Sequence, residues 1–281
     1  MPGVRHLGSR CESLSRYLTT KFRHPVPLAP AVLVSIPLSH FCEKARWALD
    51  RVGLPYREEP HAPLLNRFAT RRAGRGTVPV LVHGNRRFID STDILVHADA
   101  TCGGDLLYPR DTTLRQEIDA LEERFDTELG PHTRRWVYSQ LLPHATLLRS
   151  LWSRGVPRVE ASMVPLMAPL TRFLVRKAYK ITAESAQRSL ERVHGIFRMV
   201  DERLSDGRRF LVGDRFTAAD LTFAALAAPV LLPVECRAVA PALDEVPAAM
   251  REEVVRLRGT AAGAFALRLF AQERDRMSSA S

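Results

Sequence analysis

Over about 75 residues from Ala31, the apolar positions alternate between the two-residue period of strands and the 3.6-residue period of helices; from Arg110 onward only the helical period remains. That change of period is the tightest constraint on the fold. "AVLVSI" is a short β-branched run suited to a buried strand. "FCEKARWALDRV" places Phe41, Ala45, Leu49 and Val52 on one helical face, and Gly53 stops it. "LPYREEPH" returns as a second strand, followed by an irregular, Arg-rich helical turn from Pro63 to Gly76. "VPVLVH", Gly84-Asn85 and "RRFID" make an antiparallel hairpin around a two-residue turn. "STDILVHADATC" is a helix closed by Gly103-Gly104. The later segments, among them "TLRQEIDALEERFDTEL", "SAQRSLERVHGIFRMVDERL" and "AADLTFAALAAPVLL", are helical. The expected fold is therefore α/β plus all-α, with an extension over residues 1–30, an α/β domain over 31–104 and an all-helical domain over 105–281.

A chain of 281 residues with 46% hydrophobic content can bury one large core or two modest ones. The formal charge of +10 favours anionic partners, but the basic residues are spread along the chain with acids among them ("EIDALEERFDTE", "AQERDR"). A nucleic-acid surface clusters them with aromatics, so no nucleic-acid partner is expected. Cys11, Cys42, Cys102 and Cys236 are far apart, with neither a CxxC pair nor zinc spacing, which points to free thiols in a reducing compartment and to no metal. The longest nearly apolar run, Leu221 to Val234, is shorter than the roughly 20 residues a membrane span needs and is interrupted by Pro229 and Pro233. It suits a buried helix. Residues 1–30 carry five Lys or Arg with Glu12 as the only acid; a flexible extension is the simpler reading, a transit peptide the other, and the cytoplasm is the expected location.

Four motifs occur in a telling order: Ser39 at the end of the first strand, "TVPVL" at Thr77 to Leu81, Asp90-Ser91, and "FLVGDRFTAADLTFAAL" at Phe210 to Leu226. In that order the chain resembles the glutathione transferase superfamily over residues 31 to 275. The resemblance implies a thioredoxin-like N-terminal domain that binds glutathione as co-substrate, and a helical domain that presents a small apolar electrophile. A homodimer is left open, and so is the subclass.

Each motif also carries its own chemistry. Ser39 would cap the first helix, where unpartnered backbone N–H groups and the positive end of the dipole favour an anion. Its hydroxyl can accept from the backbone while donating its proton to a sulfur. Moving a thiol pKa down by ~2 units from ~8.5 takes about 2.7 kcal/mol, which one charge-assisted hydrogen bond of ~1.5–3 kcal/mol plus a dipole contribution can supply. Cys42, one turn on, is the competing nucleophile: "SHFC" is similar to the Cys-x-x-Cys of glutaredoxins with oxygen in place of the first sulfur. An exposed Cys42 would permit thiol–disulfide exchange; a packed one would not.

The resemblance implies a cis bond between Val78 and Pro79 that frees the Val78 backbone to pair with the cysteinyl part of glutathione. It also places the γ-glutamyl carboxylate at Asp90 and Ser91, which begin the third helix and cap it. Arg71, Arg72 or Arg75 would face the glycyl carboxylate. His40 is expected to face solvent. Trp136, Tyr138 and Leu141 suit the apolar half of a cleft, and one helix of the Pro131–Lys180 region would line it. Thr217-x-x-Asp220 is a capping box with a folding role. The leading reading is a glutathione transferase-like enzyme with a Ser-stabilised thiolate. The alternatives are a non-catalytic binding or scaffold protein of the same fold and a glutathione-dependent reductase using Cys42.

Overall fold

The computed structural model describes residues 30–71, 76–236 and 238–274. Residues 1–29 therefore lie outside the described part, as do Cys11, Arg72 and Arg75. Strands β1 (Ala31–Ser35), β2 (Tyr56–Pro60), β3 (Val80–His83) and β4 (Arg86–Phe88) form one sheet in the order β2-β1-β3-β4. β1 runs parallel to β2 and antiparallel to β3, and β3 and β4 are the expected hairpin. Helix α1 (His40–Val52) follows β1 and ends at Gly53, whose φ of 69° is the left-handed conformation that glycine supplies at least cost. α2 (Asn66–Thr70) is a single short turn against β1, and α3 (Ser91–Thr101) packs on α1.

The rest is helical: α4 (Thr112–Arg124), α5 (Gly130–Leu141), α6 (Ala145–Ser153), α7 (Arg158–Ala178), α8 (Ala183–Leu204), α9 (Ala218–Leu231), α10 (Ala248–Arg258) and α11 (Ala261–Glu273). A π-helical turn, Phe125–Leu129, joins α4 to α5 without a break. The region left least regular by its prolines is helical too. Pro165 and Pro169 sit inside α7 on its exposed side, where the carbonyls freed one turn earlier can meet solvent.

α9 is the hub. Of its 14 residues, all but Pro229 are buried, because it is apolar on every face, and it packs against α1, α4, α5, α10 and α11. Its start is held by Asp220, which accepts from the backbone N–H of Leu211 at 2.7 Å and of Thr217 at 2.8 Å, and from Thr217 Oγ1 at 3.0 Å. One apolar core runs through sheet and helices alike. Trp47 of α1 is fully buried between Phe216 and Phe270, at ring separations of 5.7 and 4.8 Å, and donates to the Glu273 carbonyl at 3.3 Å.

A polar knot fastens the same seam. Lys44 of α1, fully buried, reaches Glu122 at 2.9 Å, Asp126 at 2.7 Å and Thr92 Oγ1 at 2.8 Å. Tyr108 and Thr222 donate to Glu122 at 2.5 and 3.1 Å. Burial opposes the charge on Lys44, but Glu122 and Asp126 outweigh it and raise the ammonium pKa. Along the same helix, Arg51 pairs with Glu273 at 3.0 Å, and Arg274 bridges Glu43 in the first turn, at 2.6 Å, and Asp50 near the C-terminal end, at 2.8 Å. Among the described residues, no helix is long and apolar enough to cross a membrane, and no cluster of His, Cys, Asp and Glu could hold a metal.

Candidate active site

β1 ends at Ser35, and Pro37 and Leu38 carry the chain to Ser39, which sits in extended backbone (φ −77°, ψ 120°) as the N-cap of α1. Its carbonyl takes the first helical N–H, from Glu43 at 2.9 Å, and its Oγ accepts the Cys42 N–H at a long 3.4 Å. That contact uses a lone pair; among the described residues, nothing takes the hydroxyl proton. Ser39 opens into a cavity of about 640 Å³ between the sheet domain and the helices.

Thr77 and Val78 line the same cavity. The Val78–Pro79 peptide bond is cis, and Pro79 is buried behind Val78. Asp90 and Ser91 do begin α3, with Asp90 accepting the Thr92 N–H at 2.8 Å, but neither is among the residues lining the cavity. Of the sequence motifs in this domain, Ser39 and Val78 line the cavity, and Asp90 and Ser91 do not.

Packing settles the surroundings of two neighbours of Ser39. Cys42 is fully buried and off the cavity, and burial raises its thiol pKa, so the exposure that disulfide exchange requires is not met. His40 does not face solvent. It is 6% exposed, and its Nε2 lies 2.9 Å from the Gly130 carbonyl at the start of α5, a contact across 90 residues of sequence. Burial, and then the nearby Arg134 guanidinium, lower its pKa to about 3, so the ring is neutral at physiological pH and Nε2 donates. Gly130 permits this closeness: a Cβ there would lie 2.5 Å from Phe41 Cζ.

The far wall is largely apolar. α5 contributes Val137, Tyr138 and Leu141, α7 contributes Leu174 and Val175, and Leu232 and Met250 close it. Trp136 belongs to the core instead, 5% exposed and absent from the lining, because it lies two residues from Tyr138 on a helix of 3.6 residues per turn.

The charges around the cavity were not legible beforehand. Glu43 is neutralised by Arg46 at 3.2 Å and Arg274 at 2.6 Å. Arg71 is exposed and does not line the cavity, whereas Arg67, on α2, does. Among the described residues, Arg134 and Lys177 also bring positive charge to it. In "RRW" the two arginines diverge: Arg135 donates to the Tyr179 carbonyl at 2.8 Å and to Ser189 Oγ at 3.0 Å, while Arg134 turns to the cavity. Cys236, also lining it, has a thiol pKa pushed up to about 12 by burial.

Comparison with known families matches the glutathione S-transferase N-terminal domain to residues 33–105 and the C-terminal domain of the same family to residues 162–251. The chain belongs to the glutathione S-transferase superfamily. A relative in tobacco, Nicotiana tabacum, described as a probable glutathione S-transferase, is 23% identical over 196 residues, covering 69% of this chain and 68% of its own. Among solved structures, glutathione S-transferase III in its apo form aligns with a TM-score of 0.59 at 17% identity, over 90% of this chain and 97% of that one. A glutathione transferase from Phanerochaete chrysosporium aligns at 0.57 and 20% identity, over 88% and 98%. At such identities these structures speak for the fold. The superfamily's N-terminal match contains Ser39, Val78, Pro79, Asp90 and Ser91, and its C-terminal match takes in α8, α9 and most of α7.

Proposed function

We propose that this chain is a glutathione transferase that joins the thiol of glutathione to a small, largely apolar electrophile, with Ser39 stabilising the thiolate. The supporting observation is the uncommitted proton of Ser39, held at the N-terminus of a 13-residue helix and opening into a cavity whose opposite wall is largely apolar. A sulfur seated over that helix end takes the Ser39 hydroxyl proton as a hydrogen bond and the helix dipole as a partial positive charge, so the thiol releases its proton to solvent near neutral pH. The thiolate then forms a carbon–sulfur bond as the electrophile's leaving group departs with its electron pair. The Val78 backbone beside Ser39 would pair with the cysteinyl part of the tripeptide, and the start of α3 would receive the γ-glutamyl carboxylate. Holding both reactants in one cavity adds the gain of proximity.

The test is a titration with glutathione and with S-hexylglutathione, followed by the pH dependence of kcat/KM with 1-chloro-2,4-dinitrobenzene. Ser39→Ala is expected to move the acid limb up by about 1–2 pH units and to lower kcat/KM at pH 7 by roughly 10- to 100-fold. Tight glutathione binding without turnover would make the chain a binding protein of the same fold; no binding of either ligand would overturn the proposal.

A further inference from the structure

Arg134 is a cation placed where a folded protein seldom leaves one unanswered. Its Nε is buried and has no hydrogen-bond partner among the described residues, and no described carboxylate lies within salt-bridge distance of its guanidinium. What surrounds it is aromatic: the guanidinium carbon lies 4.3 Å from the centre of the Tyr179 ring and 5.7 Å from that of Phe41. Ring faces cover the flat side of a guanidinium and leave its edge, where the N–H donors point, without acceptors. A buried donor in the state of Arg134 Nε is costly, and native structures answer such a donor with water, an ion or a ligand. Arg134 and Tyr179 both line the cavity, on the side of the helical domain.

The other charges at the cavity do not compensate it. Glu43, the carboxylate lining it among the described residues, is already bound by Arg46 and Arg274. Arg67 and Lys177 are exposed and so are well screened by water. The glutathione carboxylates have other donors available, at the start of α3 and on Arg67 of α2, whereas Arg134 stands among the apolar residues Val137, Tyr138 and Leu141 on α5.

We infer that the acceptor substrate carries an anionic group, a carboxylate or its equivalent, on an aromatic or apolar body, with Arg134 binding the anion edge-on and Tyr138 and Tyr179 flanking the body. This rests on the transferase reading and names the class of electrophile for its cavity. It predicts selectivity for acids over their neutral esters, which a purely apolar site would reverse.

The probe pair is 4-chloro-3,5-dinitrobenzoate and its methyl ester. In each, the thiolate forms a carbon–sulfur bond at the chlorine-bearing carbon and chloride leaves. For the wild type, the kcat/KM ratio of acid to ester, corrected for the uncatalysed rates, is expected to exceed one by about tenfold, to fall by about tenfold in Arg134→Gln and to be kept in Arg134→Lys. Equilibrium binding of 3,5-dinitrobenzoate against its methyl ester, with and without glutathione, gives the same comparison without any chemistry. Loss of turnover and of glutathione binding with a retained preference for the acid would sink the transferase reading alone. An acid preference absent in the wild type, unchanged in Arg134→Gln, or lost instead in Arg67→Gln or Lys177→Gln would overturn the inference, and the wild-type comparison decides it even if the variants fail to fold.

Discussion

At the scale of single residues, His40 and Ser39 stand side by side with opposite histories of legibility. Ser39 could be read because a hydroxyl between a β-branched run and a helical period is a capping signal that needs no distant information. His40 could not, since its burial depends on Gly130, 90 residues away, and on a helix start close enough to seal it. Arg134 was equally hidden: adjacent arginines look alike in sequence, and only helix phase against α8 and the cavity separates them. His40 yields a pH prediction. Its folded pKa, lowered from 6.5 to about 3, means that the unfolded chain binds the proton and the folded one does not; stability is complete above pH ~6.5 and falls as pH drops towards 3. Urea unfolding should show His40→Gln, whose amide can still donate to the Gly130 carbonyl, with a shallower loss between pH 6.5 and 4.5. The difference in slope should approach about 1.4 kcal/mol per pH unit.

Elements were legible where local chemistry decides them. Gly53 ends α1, Gly84-Asn85 turns the hairpin, and the Thr217–Asp220 pair starts α9, each from a few adjacent residues. α7 was harder because prolines argue against a helix unless the freed carbonyls can reach water, and exposure is a property of the packed molecule. The α9 start carries more than its sequence motif announces, since Asp220 also receives the Leu211 N–H from outside the box. Asp220→Ala would leave two buried backbone donors unanswered, at ~1–3 kcal/mol each. Denaturant midpoints are therefore expected to show a loss on the order of 3 kcal/mol or more, against about 1 kcal/mol for Thr217→Ala. Equal losses in the two variants would contradict the outside contact. Gly130→Ala belongs to the same scale: it should displace Phe41 from the start of α5, which a structure of the variant or a loss of glutathione affinity would reveal.

In the whole molecule, sheet and helices share one core, with α1 as the common member. A two-domain layout was readable from the change of period, but the depth of their union was not, because Lys44, Glu122, Asp126, Tyr108 and Thr222 are scattered over more than 170 residues of sequence and carry no motif. Lys44→Met would leave two carboxylates in the seam without their cation, a loss of roughly 3–5 kcal/mol. Tryptophan fluorescence and far-ultraviolet circular dichroism should still give one coincident transition, shifted to lower denaturant, because neither domain keeps its core without the other. Two separated transitions would show that the seam is weaker than its geometry implies. The sealing of Lys44 also has a practical side. Lysine is rare here, Lys21 lies outside the described residues, and the other two side-chain amines, Lys177 and Lys180, are exposed, the first at the rim of the cavity. An amine-directed fluorophore therefore has few sites to choose from, and with Lys21 and Lys180 replaced by arginine and the α-amine blocked it would report from the cavity at Lys177 with no engineered cysteine.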